Sequence, residues 1–179
     1  MTEKKHKYRE KVKGSKKVEV GGNIGEIYLL DDGAPPYELR IDREGRWFHE
    51  GVEIVREEIR NLFSQHLVRL EDGSYRVRME GDEAPVVVED APFVICRVSK
   101  HPRGGLSLLL NDGTSEPLDA RTIEFRSSNV PYCIVRSGLE ARFSRPAYYQ
   151  LAEFIECDER SGTYRLMVDG EAVDLEFRG

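Results

Sequence analysis

Residues 39–49 read LRIDREGRWFH, with apolar and polar positions alternating on either side of Asp-Arg-Glu-Gly. A period of two interrupted by turn residues predicts a β-hairpin. Asp42 suits the first position of a type I turn, and Gly45 can take the left-handed conformation that completes a three-residue loop. In that register Ile41 faces Trp47 and Leu39 faces His49 on one side of the ribbon, while Phe48 points to the other. Trp47, the single tryptophan of the chain, thereby gains a structural task, pinning the hairpin onto whatever packs beneath it. The period then changes. Across residues 52–67, Val55, Ile59, Leu62, Phe63 and His66 recur on one helical face and leave Arg56, Glu57 and Arg60 for water. Turn signals at Glu71-Asp72-Gly73 and Glu80-Gly81-Asp82 flank strands predicted at 75–79 and 85–89.

The end of the chain repeats this order. PYCIVR-SG-LEARFS predicts a hairpin with Ser137-Gly138 at its tip. RPAYYQLAEFIEC predicts a helix, with Ser144 as N-cap and Pro146 in the first turn. On it Tyr148, Leu151, Ala152 and Ile155 form the buried stripe, and Tyr149 stands at its edge. Strand and turn segments follow in DERSGTYRLMVDGEAVDLEF. DGSYRVRMEGDE then lies over SGTYRLMVDGEA without a gap, matching Gly73 to Gly162, Tyr75 to Tyr164, Arg76 to Arg165 and Gly81 to Gly170. A match at the same place after a hairpin and a helix points to an internal duplication. Two copies are too few for a solenoid and imply a paired, pseudo-symmetric arrangement. Between them, strands are expected at 93–99 and 106–110, either extending the first sheet or bridging the two. The expected organisation is a disordered basic tail (1–20), an N-terminal unit (34–92), bridging strands and loops (93–130) and a C-terminal unit (131–179). The class is α+β: duplicated β-hairpin–helix–antiparallel-strand units in two small domains packed together.

Composition sharpens this picture. Among 179 residues, 39% are hydrophobic and 34% charged, which gives a thin core relative to surface and favours two small units sharing an interface. No apolar run is long enough to span a bilayer or follows the basic start as a signal peptide would, so a cytosolic chain is expected. The net charge of −6 is uneven, since residues 1–17 carry eight basic residues against Glu3 and Glu10. Such a tail contacts nucleic acid or anionic lipid, or simply solubilises an acidic body. Cys96 and Cys133 sit among strand-like apolar neighbours and are expected as buried free thiols.

No catalytic motif is readable. There is no P-loop, and GGNIG lacks nucleotide-fingerprint spacing. HEGVE at 49–53 misses the zinc-protease pattern, and His6, His49, His66 and His101 fall on separate elements, so neither a metal site nor a cofactor is expected. No serine lies in a nucleophile elbow. The informative stretch is VRSGLEARFSRPAYYQ. Arg142 projects opposite Ala141 and Phe143, and Arg145 opens a helix whose dipole disfavours cations. An arginine beside an aromatic at an element junction can cradle a phosphate or a planar ring. The same residues equally suit an Arg–Glu pair, with Glu140 and Glu153 as candidates, beside a tyrosine covering the core.

IDREGRWFHEGVEI, VVVEDAPFVICRV and RSGLEARFSRPAYYQLAE, in this order and spacing, resemble the bacterial family of domain of unknown function 1285, from about Ala34 to the C-terminus. The tail and VEVGGNIGEIYLL fall outside the resemblance, and VRMEGDEAP departs from it. The resemblance implies two similar units, the C-terminal one superficially like pleckstrin-homology folds. It brings no established activity, but a role in signalling and a groove between the units for a nucleotide-like ligand. Carried onto the matching blocks, it nominates Trp47, His49, Asp90, Arg142 and Tyr149 for that groove. The leading expectation is a non-enzymatic module binding a nucleotide-like or other anionic small molecule between its units. The alternative is a protein-interaction or scaffold domain, its basic tail contacting an acidic partner or nucleic acid. An enzyme of unfamiliar type ranks below both.

Overall fold

The computed structural model describes the backbone of residues 15–18, 27–30, 39–79, 82–159 and 162–177, and side chains within 39–175. Ser15–Val18 (β1) pairs antiparallel with Ile27–Leu30 (β2). The rest of the expected basic tail, 1–20, lies outside the described residues.

The first unit begins with the expected hairpin. Leu39–Ile41 (β3) and Trp47–His49 (β4) pair with Ile41 opposite Trp47 and Leu39 opposite His49. Gly45 sits at φ +75°, and Asp42 Oδ1 accepts the N–H groups of Glu44 and Arg46 at 3.0 and 2.9 Å. Burial pushes the Asp42 carboxyl up, but its hydrogen bonds and the Arg46 guanidinium outweigh that and hold it below the ordinary value.

The expected helix over 52–67 starts late. Glu50 and Gly51 both take positive φ, 49° and 76°, and turn the chain straight back so that Val52–Glu53 (β5) pairs with β4. The helix is Glu57–Gln65 (α1), burying Phe63 and Ser64, and Val55, expected on its buried face, is 74% exposed. Leu67–Arg69 (β6), Tyr75–Met79 (β7) and Asp82–Val88 (β8) follow as an antiparallel meander. β8 then returns parallel to β3 and closes a six-stranded sheet in the order β5-β4-β3-β8-β7-β6.

Phe93–Lys100 (β9), Leu106–Leu110 (β10), Ser115–Pro117 (β11) and Glu124–Arg126 (β12) build most of a second sheet with the hairpin Val130–Val135 (β13) and Leu139–Phe143 (β14). Its order is β11-β10-β9-β14-β13-β12-β18, where β18 is Glu176–Phe177. The 93–130 segment thus belongs to the second sheet rather than extending the first. β9 lies parallel beside β14, and its opening residues Phe93, Val94 and Ile95 are all buried, as suits a central strand covered on both faces. A bulge opposite Leu109–Leu110 skips Cys96 in the ladder and turns its thiol outward, whereas a buried one was expected. Cys133 is buried, and burial pushes its thiol up to about 12. Cys157 is exposed.

Arg145–Ala152 (α2) begins at the expected cap, with Ser144 Oγ accepting from the Ala147 N–H at 3.3 Å. It lays Ala147 and Leu151, both fully buried, against the second sheet, and burying Leu151 contributes about 1.5–3 kcal/mol. It stops at Ala152, short of the expected end, because Ile155–Asp158 (β15) is taken up by pairing with Thr163–Val168 (β16). Glu171–Asp174 (β17) completes this second meander, and β18 then returns parallel to β12. Each unit therefore runs hairpin, helix, three-stranded meander, which is the duplication seen in the sequence. In the first the last meander strand itself returns parallel to the hairpin, whereas in the second the meander is a sheet of its own and β18 makes the return to β12. One hydrophobic cluster runs from Leu39 to Leu175 through both. Among the described residues no helix is long and apolar enough to cross a membrane, and no group of His, Cys, Asp and Glu is placed to hold a metal.

Candidate functional site

The units meet where the tip of the first hairpin touches the outer face of the second sheet. Asn111 Nδ2 donates to the Gly45 carbonyl at 2.9 Å, and its Oδ1 accepts the Val94 N–H at 3.1 Å. Arg142 alternates with the buried Ala141 and Phe143 on β14 and so projects from the outer face. It donates to the Arg43 carbonyl, and its Nε lies 3.3 Å from the Asp90 carboxylate.

The same alternation carries a row of neighbours to that face. Tyr132 stands opposite Arg142 and donates its hydroxyl to Asp90 at 2.9 Å. Burial, then this hydrogen bond and the Asp90 charge, push the phenol above its ordinary pKa. The Arg126 guanidinium lies 4.3 Å from the Tyr132 ring centre and donates to Glu140 at 3.2 Å. Glu140 also reaches across the units to Arg69, 3.7 Å away. Arg69 in turn lies 5.9 Å from the centre of the Tyr75 ring, whose phenol is pushed up by burial and then by the Glu140 charge. Arginines and tyrosines from both units thus share one partly open junction, with Arg69, Arg126 and Arg142 side chains 42%, 35% and 25% exposed. The Arg142 Nε is buried and has no hydrogen-bond partner among the described residues, its contact to Asp90 being an ion pair only.

Of the residues nominated from sequence, Asp90 and Arg142 come together here. Trp47 does not line the junction. It is 2% exposed, donates Nε1–H to Ser64 Oγ at 3.2 Å and packs tilted on Phe63 with ring centres 5.5 Å apart. It anchors the hairpin to α1. His49 sits at the end of β4 away from the hairpin tip, half-buried opposite Leu39 and Val52. Tyr149 is 60% exposed on α2, which packs on the inner face of the second sheet, opposite to Arg142. Neither candidate glutamate pairs with Arg142: Glu140 takes Arg126 and Arg69 instead. The residues that sequence reasoning missed are Arg69, Tyr75, Arg126 and Tyr132. Tyr75 was visible as a repeat position, and the alternation in EFR and VPY carries Arg126 and Tyr132 to the Arg142 face once β13 is known to pair with β14 and β12 with β13.

Residues 34–91 match the family described as domain of unknown function (DUF1285), N-terminal domain, and residues 92–174 match its counterpart, protein of unknown function (DUF1285), C-terminal domain. No curated protein matches the chain. Among solved structures, a DUF1285 family protein from Silicibacter pomeroyi DSS-3 is similar at 28% identity and TM-score 0.64, over 78% of each chain. Another from Shewanella baltica OS155 shares the fold at 22% identity and TM-score 0.58, over 66% of this chain and 92% of that one. With both domain descriptions matched in order across most of its length, the chain belongs to the DUF1285 family.

Proposed function

We propose that this protein is a non-enzymatic, ligand-responsive module that binds a nucleotide-like or other anionic small molecule at the junction of its two units. The observation that carries this reading is the convergence of Arg69 and Tyr75 from one unit with Arg126, Tyr132 and Arg142 from the other, including a partly exposed Arg142 whose Nε is held by the Asp90 ion pair alone. Tyrosine and guanidinium faces suit a planar base, and guanidinium edges suit a phosphate. Three carboxylates, Asp90, Glu124 and Glu140, already balance the three arginines. An anionic ligand must therefore compete with Asp90 or Glu140 for its guanidinium, and exchange at Arg142 or Arg69 loosens a contact between the units. That competition gives binding a structural readout, as a signalling role requires.

The test is a thermal-shift screen of the full chain against nucleotides, dinucleotides and small phosphorylated metabolites, with Arg142→Ala beside the wild type. A compound at ~100 times its dissociation constant stabilises the folded state by about 2.7 kcal/mol. The reading expects such a shift, lost in Arg142→Ala. A shift equal in both proteins, or none from any compound, overturns it.

One observation favours the interaction-domain alternative. Val52 and Val55, 71% and 74% exposed, flank the outer edge of the first sheet at β5, and an edge strand with bare apolar side chains is a docking surface for another chain. Loss of a partner in Val52→Lys, with every small-molecule shift absent, would favour it.

A further inference from the structure

On the inner face of the second sheet, away from the junction, a cavity of about 500 Å³ lies between β12, α2 and the second meander. Strand β12 separates the two places: Glu124 and Arg126 face the junction, while Phe125 between them is a wall of the cavity. Phe125 meets Tyr148 edge-on, with ring centres 6.2 Å apart, and Tyr149 stacks behind Tyr148 at 6.1 Å. Tyr164, 44% exposed, is the third ring of the lining. In the duplication it occupies the position that Tyr75 holds in the first unit, where that ring serves the junction. Ala152 and Ile155 extend the apolar wall, and Asn129 and Cys157 complete it. Asn129 takes φ 55°, a left-handed conformation that asparagine tolerates better than most residues, and its amide offers both a donor and an acceptor.

We propose that this cavity is a second binding site, separate from the junction, for an uncharged planar compound of two or three fused rings. Its volume falls within the ~300–1,000 Å³ of small-molecule pockets. Phe125 is itself buried, but the parts of Tyr148 and Tyr164 left facing water forfeit hydrophobic free energy that a flat apolar ring recovers on entry. The described lining contains no arginine, lysine or histidine, so a phosphate or sulfonate entering here is desolvated without a cationic partner, which is unfavourable. The cavity and the junction thus select opposite ligand chemistries.

Cys157 supplies the readout. With Cys133 buried, Cys96→Ser leaves Cys157 as the reactive thiol. Its alkylation by iodoacetamide is followed by mass spectrometry in the full chain, with 2-naphthol as the neutral probe and naphthalene-2-sulfonate as its charged match. The expected result is slowing by about 5-fold or more with 2-naphthol and less than about 2-fold with the sulfonate, magnitudes typical of an added aromatic contact and its loss. Ala152→Trp fills the cavity from an exposed helix position and abolishes the protection. Tyr164→Ala, on an exposed strand position, weakens it and keeps the test decisive should the tryptophan disturb α2. No protection at the solubility limit of 2-naphthol, equal protection by both probes, or protection that survives both substitutions overturns the proposal.

Discussion

Gly45→Ala tests how the units are joined. A Cβ at Gly45 would lie 2.5 Å from Asn111 Nδ2 and 2.9 Å from Val94 Cγ2, atoms of the second unit. Relief requires Asn111 to withdraw, which forfeits its 2.9 Å bond to the Gly45 carbonyl. The left-handed φ of +75° adds about 1 kcal/mol for any Cβ-bearing residue. Crowding a packed contact and losing the hydrogen bond add roughly 1–3 kcal/mol more, so the total falls near 2–4 kcal/mol. Gly51→Ala is the matched control. It has nearly the same φ, +76°, in the same hairpin region, and nothing lies within 4 Å of its Cβ, so it should cost only about 1 kcal/mol. Urea unfolding followed by the fluorescence of buried Trp47 measures both. At this chain length each kcal/mol moves the melting temperature by about 2–4 °C, which gives a second readout of the difference. Equal destabilisation by the two substitutions would refute the interface reasoning.

Trp47→Ala should cost about 3–5 kcal/mol by urea unfolding, as expected for a large buried aromatic, while Trp47→Phe costs less although Ser64 loses its donor; ligand-induced thermal shifts should survive Trp47→Phe, because the ring anchors and does not bind. Arg136 holds Asp112, whose side chain is 2% exposed, at 2.8 Å and Glu116 at 2.9 Å, so Arg136→Ala leaves a buried carboxylate unpaired and should cost about 3 kcal/mol or more in the same assay. Tyr132 has its folded pKa raised above the ordinary 10.0 by burial and Asp90. Its contribution to stability is complete below that ordinary value and is lost as pH rises through the folded pKa, so Tyr132→Phe should flatten the alkaline limb of a stability–pH profile. An unchanged limb would mean that the Tyr132–Asp90 contact is not maintained.

The first hairpin was legible in the sequence down to its register, because turn chemistry and alternation agree there on one pairing. The second helix start was legible for the same reason, Ser144 and Pro146 both marking it. Helix ends were not. Val55 and Ile155 continue a helical spacing, yet the chain around each is taken up by strands, β5 through the positive-φ pair Glu50-Gly51 and β15 through pairing with β16. Those pairings are contacts between elements, and local spacing does not report them. The candidate site was half legible. Asp90 and Arg142 stood in blocks matching the family, whereas Arg126 became visible only once residues 93–130 were seen to enter the second sheet, and Tyr132 only once the second hairpin was seen to pair Val135 with Leu139, which sets Tyr132 opposite Arg142. Trp47 drew attention as the single tryptophan, and its burial against Phe63 shows rarity serving packing.

The most direct test of the junction as a ligand site is a crystal structure of the full chain soaked with the nucleotide panel. The proposed reading predicts a ligand between the two units, its ring against Tyr75 or Tyr132 and its anionic group on Arg142 or Arg126, with the Asp90 or Glu140 contact displaced. A nucleotide bound anywhere else, with the Asp90–Arg142 and Glu140–Arg126 pairs intact, would contradict it.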